Sequence, residues 1–297
     1  MTAGHCRPLM LKLLRLCRNE LLQLCRNTNY SPRMTHTKCP LLTKPLLSCC
    51  VLAIAHATLD TTAQADTRRF TYLRDVNVHA PGSIEYEHYT TVKWDKPGAD
   101  GYWRLDFREE LEFGITDNFQ ISVYVADWRV KHNSDAAGTE LQYRDTALEL
   151  KWKLSDPTTD VLGVGLYAET KFGPEKLAAE GKLLLQKNLD KLQLLYNLTV
   201  ESEWEEEHYV EAKGKVKNQF GASWQLSERF FAGAELLVNT TLPSWRSSDA
   251  TTNVYLGPAL AYHGDGWFIA ATLEFLMNRG SSNSERYQFR TVVGFDF

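Results

Sequence analysis

The sequence predicts an all-β fold, a transmembrane antiparallel up-and-down β-barrel of about twelve strands. Three observations favour this fold. From about residue 83 onward, apolar and polar residues alternate with a period of two. The alternating segments reach the ~9 to 11 residues that a tilted strand needs to cross a bilayer. One face of most segments is charged, and a charged face cannot be buried in a dry core.

Composition excludes several other classes of protein. The 297 residues carry 33 Lys and Arg against 37 Asp and Glu, so the basic excess typical of nucleic-acid-binding proteins is missing. No apolar stretch reaches the ~18 uninterrupted residues of a membrane-spanning helix. All six cysteines precede residue 51, which excludes disulfides and Cys-ligated zinc in the rest of the chain. The histidines have no metal-ligand spacing, so we predict no metal and no cofactor.

The amino-terminal region has the features of a secretory signal peptide. Lys38 and Lys44 supply basic residues, residues 45–57 form an apolar run, and Ala63-Gln64-Ala65 is a small-x-small cleavage site. We therefore expect cleavage after Ala65.

Four regions follow from this cleavage site. Because Met34 begins the signal, we assign residues 34–65 to the signal peptide and residues 1–33 to a spurious or non-structural extension. We expect residues 66–82 to form a periplasmic segment and residues 83–297 to form the barrel.

The segment from Arg104 to Ile115 illustrates the alternation. Its apolar face carries Leu105, Phe107, Leu111, Phe113 and Ile115. Its charged face carries Arg104, Asp106, Arg108, Glu110 and Glu112. A strand of this kind fits a wall between lipid and water. The twelve predicted strands are approximately 83–94, 103–115, 119–131, 143–155, 161–173, 180–189, 191–203, 211–226, 230–240, 252–263, 267–278 and 286–297.

The connections between these strands alternate in length. Those after even-numbered strands are short, as expected for periplasmic turns. Those after odd-numbered strands are longer and polar, as expected for extracellular loops. The longer connections are 132–142, 174–179, 204–210, 241–251 and 279–285.

The last predicted strand closes the chain with one face that we expect to contact lipid. That face carries Tyr287, Phe289, Thr291, Val293, Phe295 and Phe297. The pattern resembles that of the Gram-negative outer-membrane β-barrel proteins, porins and channels among them, whose last strand finishes in Phe. The resemblance implies a location in the cell outer membrane. It also implies that Phe295 and Phe297 are read by the machinery that assembles barrels.

Charged residues of both signs occupy the inward positions and are our candidates for lining the lumen and setting its selectivity. They are Arg104, Asp106, Arg108, Glu110, Glu112, Glu149, Lys151, Lys153, Glu169, Lys171, Glu201, Lys213, Lys215, Lys217, Glu235, Glu274 and Arg290. Opposite charges either pair across the lumen and seal it, or line a water-filled pore. Lys213, Lys215 and Lys217 form a basic ladder, which is either an anion track or a face paired to Glu201 and Glu203.

One sequence feature favours an enzyme, because some outer-membrane barrels are phospholipases with a His, Ser and Asn arrangement. The nearest match is His132-Asn133-Ser134. A nucleophilic serine needs a base, and the base needs an orienting partner. No Asn or Asp at a matching strand position completes the set, so we predict no catalytic residues.

The functional prediction is a passive, porin-like channel for small polar or charged solutes. One alternative is a closed structural or surface-binding barrel without conductance, and a second is an outer-membrane phospholipase-like enzyme. The expected partners are outer-membrane lipid, the barrel assembly machinery and small solutes, with no nucleic acid. The sequence leaves the solute and the oligomeric state open.

Overall fold

The structure is a computed structural model that describes residues 68–133, 138–174, 176–205, 210–279 and 283–297. The predicted extension, the signal peptide and Ser134 lie outside the described residues. Within the described ranges, no helix is long and apolar enough to cross a membrane.

Twelve antiparallel strands form a closed barrel, as the sequence predicts. Each strand pairs with its neighbours in the chain, and β1 pairs with β12 to close the wall. The strands are β1 (Ile84–Lys96), β2 (Ala99–Thr116), β3 (Phe119–Asn133), β4 (Gly138–Ser155), β5 (Gly163–Gly173), β6 (Lys176–Leu189), β7 (Leu192–Glu205), β8 (Val210–Gln225), β9 (Phe230–Pro243), β10 (Thr251–His263), β11 (Trp267–Leu276) and β12 (Tyr287–Asp296). A short 3₁₀ helix, Ser247–Asp249, lies between β9 and β10.

The burial of side chains is inverted relative to that of a water-soluble domain. On β7, Asn197 and Thr199 point inward and are fully buried, whereas Leu194 and Val200 are 39% and 44% exposed on the outside. Successive side chains of a strand point to opposite faces, so one sequence period produces both surfaces. An apolar exterior around a polar interior is the arrangement that a lipid bilayer requires.

The strands extend further than predicted at the end of the barrel where β1 meets β2. Pairing continues into the predicted loops 132–142, 174–179 and 204–210, because ladder hydrogen bonds satisfy backbone groups that would otherwise need other partners. At the other end, the connection 156–162 is as long as the connection 244–250. The predicted contrast in connection length is therefore weaker in the structure than in the sequence.

Residues 68–82 are here called the lumen segment; they lie inside the barrel as far as His79, not outside it in the periplasm as the sequence predicts, and residues 80–82 are exposed. Phe70, Leu73 and Val76 are almost fully buried. Phe70 and Leu73 cluster with Leu195 and Ala259 of the wall. The prediction fails because the segment has no periodic pattern, and its binding partners come together only when the barrel closes.

Gly221 on β8 makes room for the lumen segment. A Cβ atom at this position would lie 2.8 Å from Cε1 of Phe70, closer than real Cβ contacts. A Cβ atom at Gly181 on β6 would meet nothing closer than the Tyr167 carbonyl oxygen at 3.9 Å. Only the first glycine is required for packing the segment.

We expect Gly221→Ala to loosen the lumen segment, because overpacking of this kind costs about 1–3 kcal/mol. Trypsin added to the folded protein should then cleave at Arg68, Arg69 and Arg74 faster than in wild type, as followed by mass spectrometry. Gly181→Ala is the matched control and should be cleaved at the wild-type rate. Equal protection of both variants would contradict this packing role.

Candidate functional site

Arg74 of the lumen segment is the centre of a buried cluster of acidic residues. Its Nη1 lies 3.0 Å from Glu112 and 3.3 Å from Glu87, and its Nη2 lies 2.6 Å from Glu110 and 3.2 Å from Glu149. The Arg74 side chain is 7% exposed and the four glutamates at most 1%. Charges buried this deeply are stable only when paired and hydrogen-bonded. One arginine thus joins strands β1, β2 and β4.

Further charged side chains of the lumen segment reinforce this contact. Arg68 Nη1 donates to both oxygens of Glu87 at 2.7 Å. His79 Nε2 lies 2.8 Å from Glu112 Oε2. Asp75 lies 3.9 Å from Nζ of Lys151, which brings one of the predicted lumen lysines to the segment.

Side chains of the wall also capture the backbone of the lumen segment. Glu235 accepts hydrogen bonds from the backbone N–H groups of Thr71 and Tyr72 at 2.8 and 2.9 Å. Amide oxygens accept the others: Asn197 from Arg74 at 2.7 Å, Gln186 from Val76 at 2.9 Å, and Gln120 from His79 at 3.0 Å. Residues 68–79 are therefore held by side chains of the wall, whereas Gly82, at the end of the segment, donates its backbone N–H to the Gly114 carbonyl of β2 at 2.8 Å.

The three amide acceptors are not among the predicted lumen residues, which are all charged. Gln120, Gln186 and Asn197 are each at most 1% exposed. The signal that could have found them is their place on the inward face of strands whose outward face is apolar. An amide at such a site accepts a backbone N–H group at no cost in charge.

A cavity of about 340 Å³ borders the lumen segment. Tyr72 and Arg74 of the segment line it together with Arg108, Lys171 and Lys217 of the wall. A smaller cavity of about 140 Å³ adjoins Tyr72 and lies along β1, β2 and β3. The lumen thus contains charged space that the segment does not fill.

Most of the cations that line these cavities are paired with carboxylates. Lys171 lies within 4 Å of Glu169, Glu180 and Glu201, and Arg108 lies 3.1 Å from Glu169. Arg104 and Arg129 both bind Asp106, at 2.9 and 2.6 Å. Pairing of this kind fixes the side chains and lowers the net charge that a solute meets.

The basic ladder of β8 is paired in the same way. Lys217 lies 2.7 Å from Glu201, Lys215 contacts both Glu201 and Glu203, and Lys213 lies 3.4 Å from Glu203. Of the two interpretations of the ladder, this geometry matches the face paired to the preceding strand.

All the predicted lumen residues are buried or half-buried, but they fall into different groups. Glu110, Glu112, Glu149, Glu235 and Lys151 contact the lumen segment. Arg104, Asp106, Arg108, Glu169, Lys171, Glu201, Lys213, Lys215 and Lys217 pair with other residues of the wall. Lys153, Glu274 and Arg290 form no ion pair with any described residue. Phe295 and Phe297 are 40% and 48% exposed on the outside.

Residues 283–286, between β11 and β12, fold against the wall, and Glu285 lines the larger cavity together with Tyr72 of the lumen segment. Glu285 accepts a hydrogen bond from the Tyr102 hydroxyl at 2.9 Å and lies 3.2 Å from Arg104. Burial alone would raise the pKa of the Glu285 carboxyl, but the positive charges of Lys93 and Arg104 lower it to about 2. The Glu285 carboxylate of the folded barrel is therefore ionised at neutral pH.

Two further groups of residues have the composition of a metal or catalytic site. The carboxylates of Glu87, Glu110 and Glu112 come within 4.8 Å of one another, close enough to hold a metal ion, but Arg74 contacts all three. His132 stacks on Trp103 with 5.7 Å between ring centroids, and Ser134 lies outside the described residues. Neither feature assembles a catalytic or metal centre among the residues described.

Solved structures of outer-membrane barrels resemble this one. An outer-membrane channel from Pseudomonas putida F1 matches with a TM-score of 0.58 and 11% identity, over 77% of this chain and 100% of that chain. The NanC porin matches with a TM-score of 0.47 and 11% identity, over 71% and 98%. The KdgM porin in complex with disordered oligogalacturonate matches with a TM-score of 0.46 and 12% identity, over 72% and 99%.

The similarity to the Pseudomonas channel shows a shared barrel fold, as the resemblance of the last strand implies. None of the curated proteins matches the chain. The family of unknown function DUF6662 matches residues 62–295, and the chain belongs to this family.

Proposed function

We propose that this protein is an outer-membrane channel for small polar or charged solutes, closed here by the lumen segment. The observation that carries the proposal is the way the segment is bound. Side chains capture its backbone at Thr71, Tyr72, Arg74, Val76 and His79, while the wall keeps its own ladder. A segment held in this way can leave the lumen without breaking the barrel.

The unfilled part of the lumen supports the same function. Its cavity of about 340 Å³ is lined mainly by charged and hydroxyl-bearing side chains, which suit polar solutes. The apolar exterior supports a location in the outer membrane, with lipid around the wall. Recognition of Phe295 and Phe297 by the assembly machinery belongs to this proposal as well.

The Arg74 cluster favours a second candidate function, the sealed structural or surface-binding barrel. Buried ion pairs hold the segment strongly, and a barrel that never releases it conducts nothing. The two functions predict different results when the Arg74 cluster is weakened: the channel begins to conduct, and the sealed barrel does not.

We expect Arg74→Met to open the channel. Removing one partner of a buried ion pair costs about 3–5 kcal/mol, because the remaining charges are left uncompensated. Here the loss falls on the closed state alone, since water hydrates the glutamates once the segment leaves. The ratio of open to closed channels should rise by about 100-fold or more. Single-channel recording in planar lipid bilayers, with protein purified from outer membranes, measures it.

Arg69→Met is the matched control, since it removes the same charge from the same segment. Arg69 stacks 4.2 Å from the Phe231 ring centroid and forms no ion pair with a described residue. We expect it to resemble wild type. If Arg74→Met is folded, as judged by heat-modifiable migration, yet as silent as wild type, the channel proposal is refuted and the sealed barrel is supported.

At low pH, residues 283–286 should detach from the wall of the barrel. Because the folded-state pKa of Glu285 is lowered from 4.5 to about 2, its stabilising charge is fully present above pH 4.5 and is lost as the pH falls through about 2. Hydrogen exchange of this loop, corrected for intrinsic rates, should accelerate across that window. Glu285→Gln should exchange fast at every pH; an unchanged pH profile in this variant would contradict the assignment.

A further inference from the structure

Among the described cations that line the two cavities, two have no carboxylate oxygen within 4 Å. Lys93 lies on β1 and Arg290 on β12, the two strands that close the barrel. Lys93 is opposite Gln288 and Arg290 is opposite Thr91, so the two cations are diagonal neighbours on the inner face. Diagonal positions are about 7–8 Å apart, within reach of two long side chains that converge on one group.

The lack of a partner distinguishes these cations from the other basic residues around the cavities. Among the described residues, no carboxylate oxygen lies within 4 Å of either side chain. The charge of Lys93 attracts the Glu285 carboxylate, but that carboxylate is in direct contact with Arg104 and Tyr102 and not with Lys93. Glu274, opposite Gln288 on β11, forms no ion pair.

The guanidinium of Arg290 lies beside two aromatic rings. Its Cζ lies 4.7 Å from the ring centroid of Tyr72 and 5.0 Å from that of Tyr89. Aromatic rings attract the positive charge but do not neutralise it, so the charge stays available to an anion. Nε of Arg290 is buried and has no hydrogen-bond partner in the part of the chain that the structure describes. The planar edge of a guanidinium matches the two oxygens of a carboxylate or phosphate.

Both cations face space that a small molecule can occupy. They line the cavity of about 340 Å³ and also the adjoining cavity of about 140 Å³. Two acids of the smaller cavity are already engaged: Asp106 binds Arg104 and Arg129, and Asp127 lies 3.9 Å from Arg108. Desolvated cations without a counter-ion are unfavourable, and a bound oxyanion removes that cost.

We infer that Lys93 and Arg290 form a binding site for the oxyanion group of a small solute, a carboxylate or a phosphate. The site lies on the inner face of the junction between β1 and β12. The inference rests on the proposed function, because the bound solute is one that the channel would carry. It narrows the solute class from polar to anionic.

Isothermal titration calorimetry of the full protein in detergent tests the site. The probes are succinate, inorganic phosphate and succinamide, the uncharged analogue of succinate. We expect at least one anion to bind saturably and succinamide not to bind. Arg290→Gln and Lys93→Gln should each weaken the affinity by about 10-fold or more, the effect of losing one charge-assisted contact. Binding of succinate alone or phosphate alone identifies the oxyanion.

Lys213→Gln is the matched control, because it removes one positive charge from a lysine that is already paired. Its affinity should stay close to that of wild type. Arg290→Lys keeps the charge but loses the planar edge, and should bind more weakly than wild type. Heat-modifiable migration reports folding of each variant.

Absence of saturable binding by both anions overturns the inference. So does an equal loss of affinity in Lys213→Gln and Arg290→Gln, which would show a general effect of lumen charge. Calorimetry does not depend on conductance. A silent barrel that binds succinate therefore refutes the channel alone, and a conducting barrel that binds no oxyanion refutes the site alone.

Discussion

The need for positive charge beside four inward glutamates is the constraint on which the rest of the structure depends. Glu87, Glu110, Glu112 and Glu149 come from three strands and meet only because the barrel closes. Buried together in a lumen without water, they would repel one another and lack hydration unless a cation lay among them. Arg74 supplies that cation from a segment that precedes the first strand. Closure of the barrel brings the glutamates together, and insertion of the lumen segment neutralises them.

The contacts that hold the lumen segment are chemically different from those that hold the wall together. The wall depends on backbone ladders, which run unbroken around the closed sheet. The segment depends on carboxylates and amides that project from those ladders. When it leaves, water can hydrate each of these side chains, whereas a ladder strand could not leave without exposing its neighbours' backbone groups. Reversible closure is therefore compatible with a rigid barrel.

The sequence predicted the strands of the wall far better than it predicted the segment inside the barrel. A period of two fixes which face of a strand meets lipid, so twelve strands and their inward residues followed from local pattern. Exceptions to the pattern carried the missing information, Leu184 and Leu195 among them. Leu184 and Leu195 stand at inward positions of otherwise polar faces, and the structure buries them against Val76 and against Phe70 with Leu73. An apolar residue on an otherwise polar face indicates that another part of the protein packs against it. The sequence near that residue does not show that the partner is the lumen segment.

The basic residues of the lumen are either paired with a carboxylate or unpaired, and the sequence of a single strand does not show which. Whether Lys217 or Arg290 is neutralised depends on the neighbours that the register supplies. Lys217 contacts Glu180 and Glu201, whereas Arg290 lies within 5.0 Å of the ring centroids of two tyrosines. Both are basic residues on an inward face, so the alternation of apolar and polar residues does not distinguish them. The difference determines where a solute's charge would be attracted. A paired lysine offers little net field, while an arginine beside aromatic rings keeps its positive charge available to an anion. The cations that lack partners, and not the longest basic run, therefore mark the part of the lumen best suited to recognise a solute.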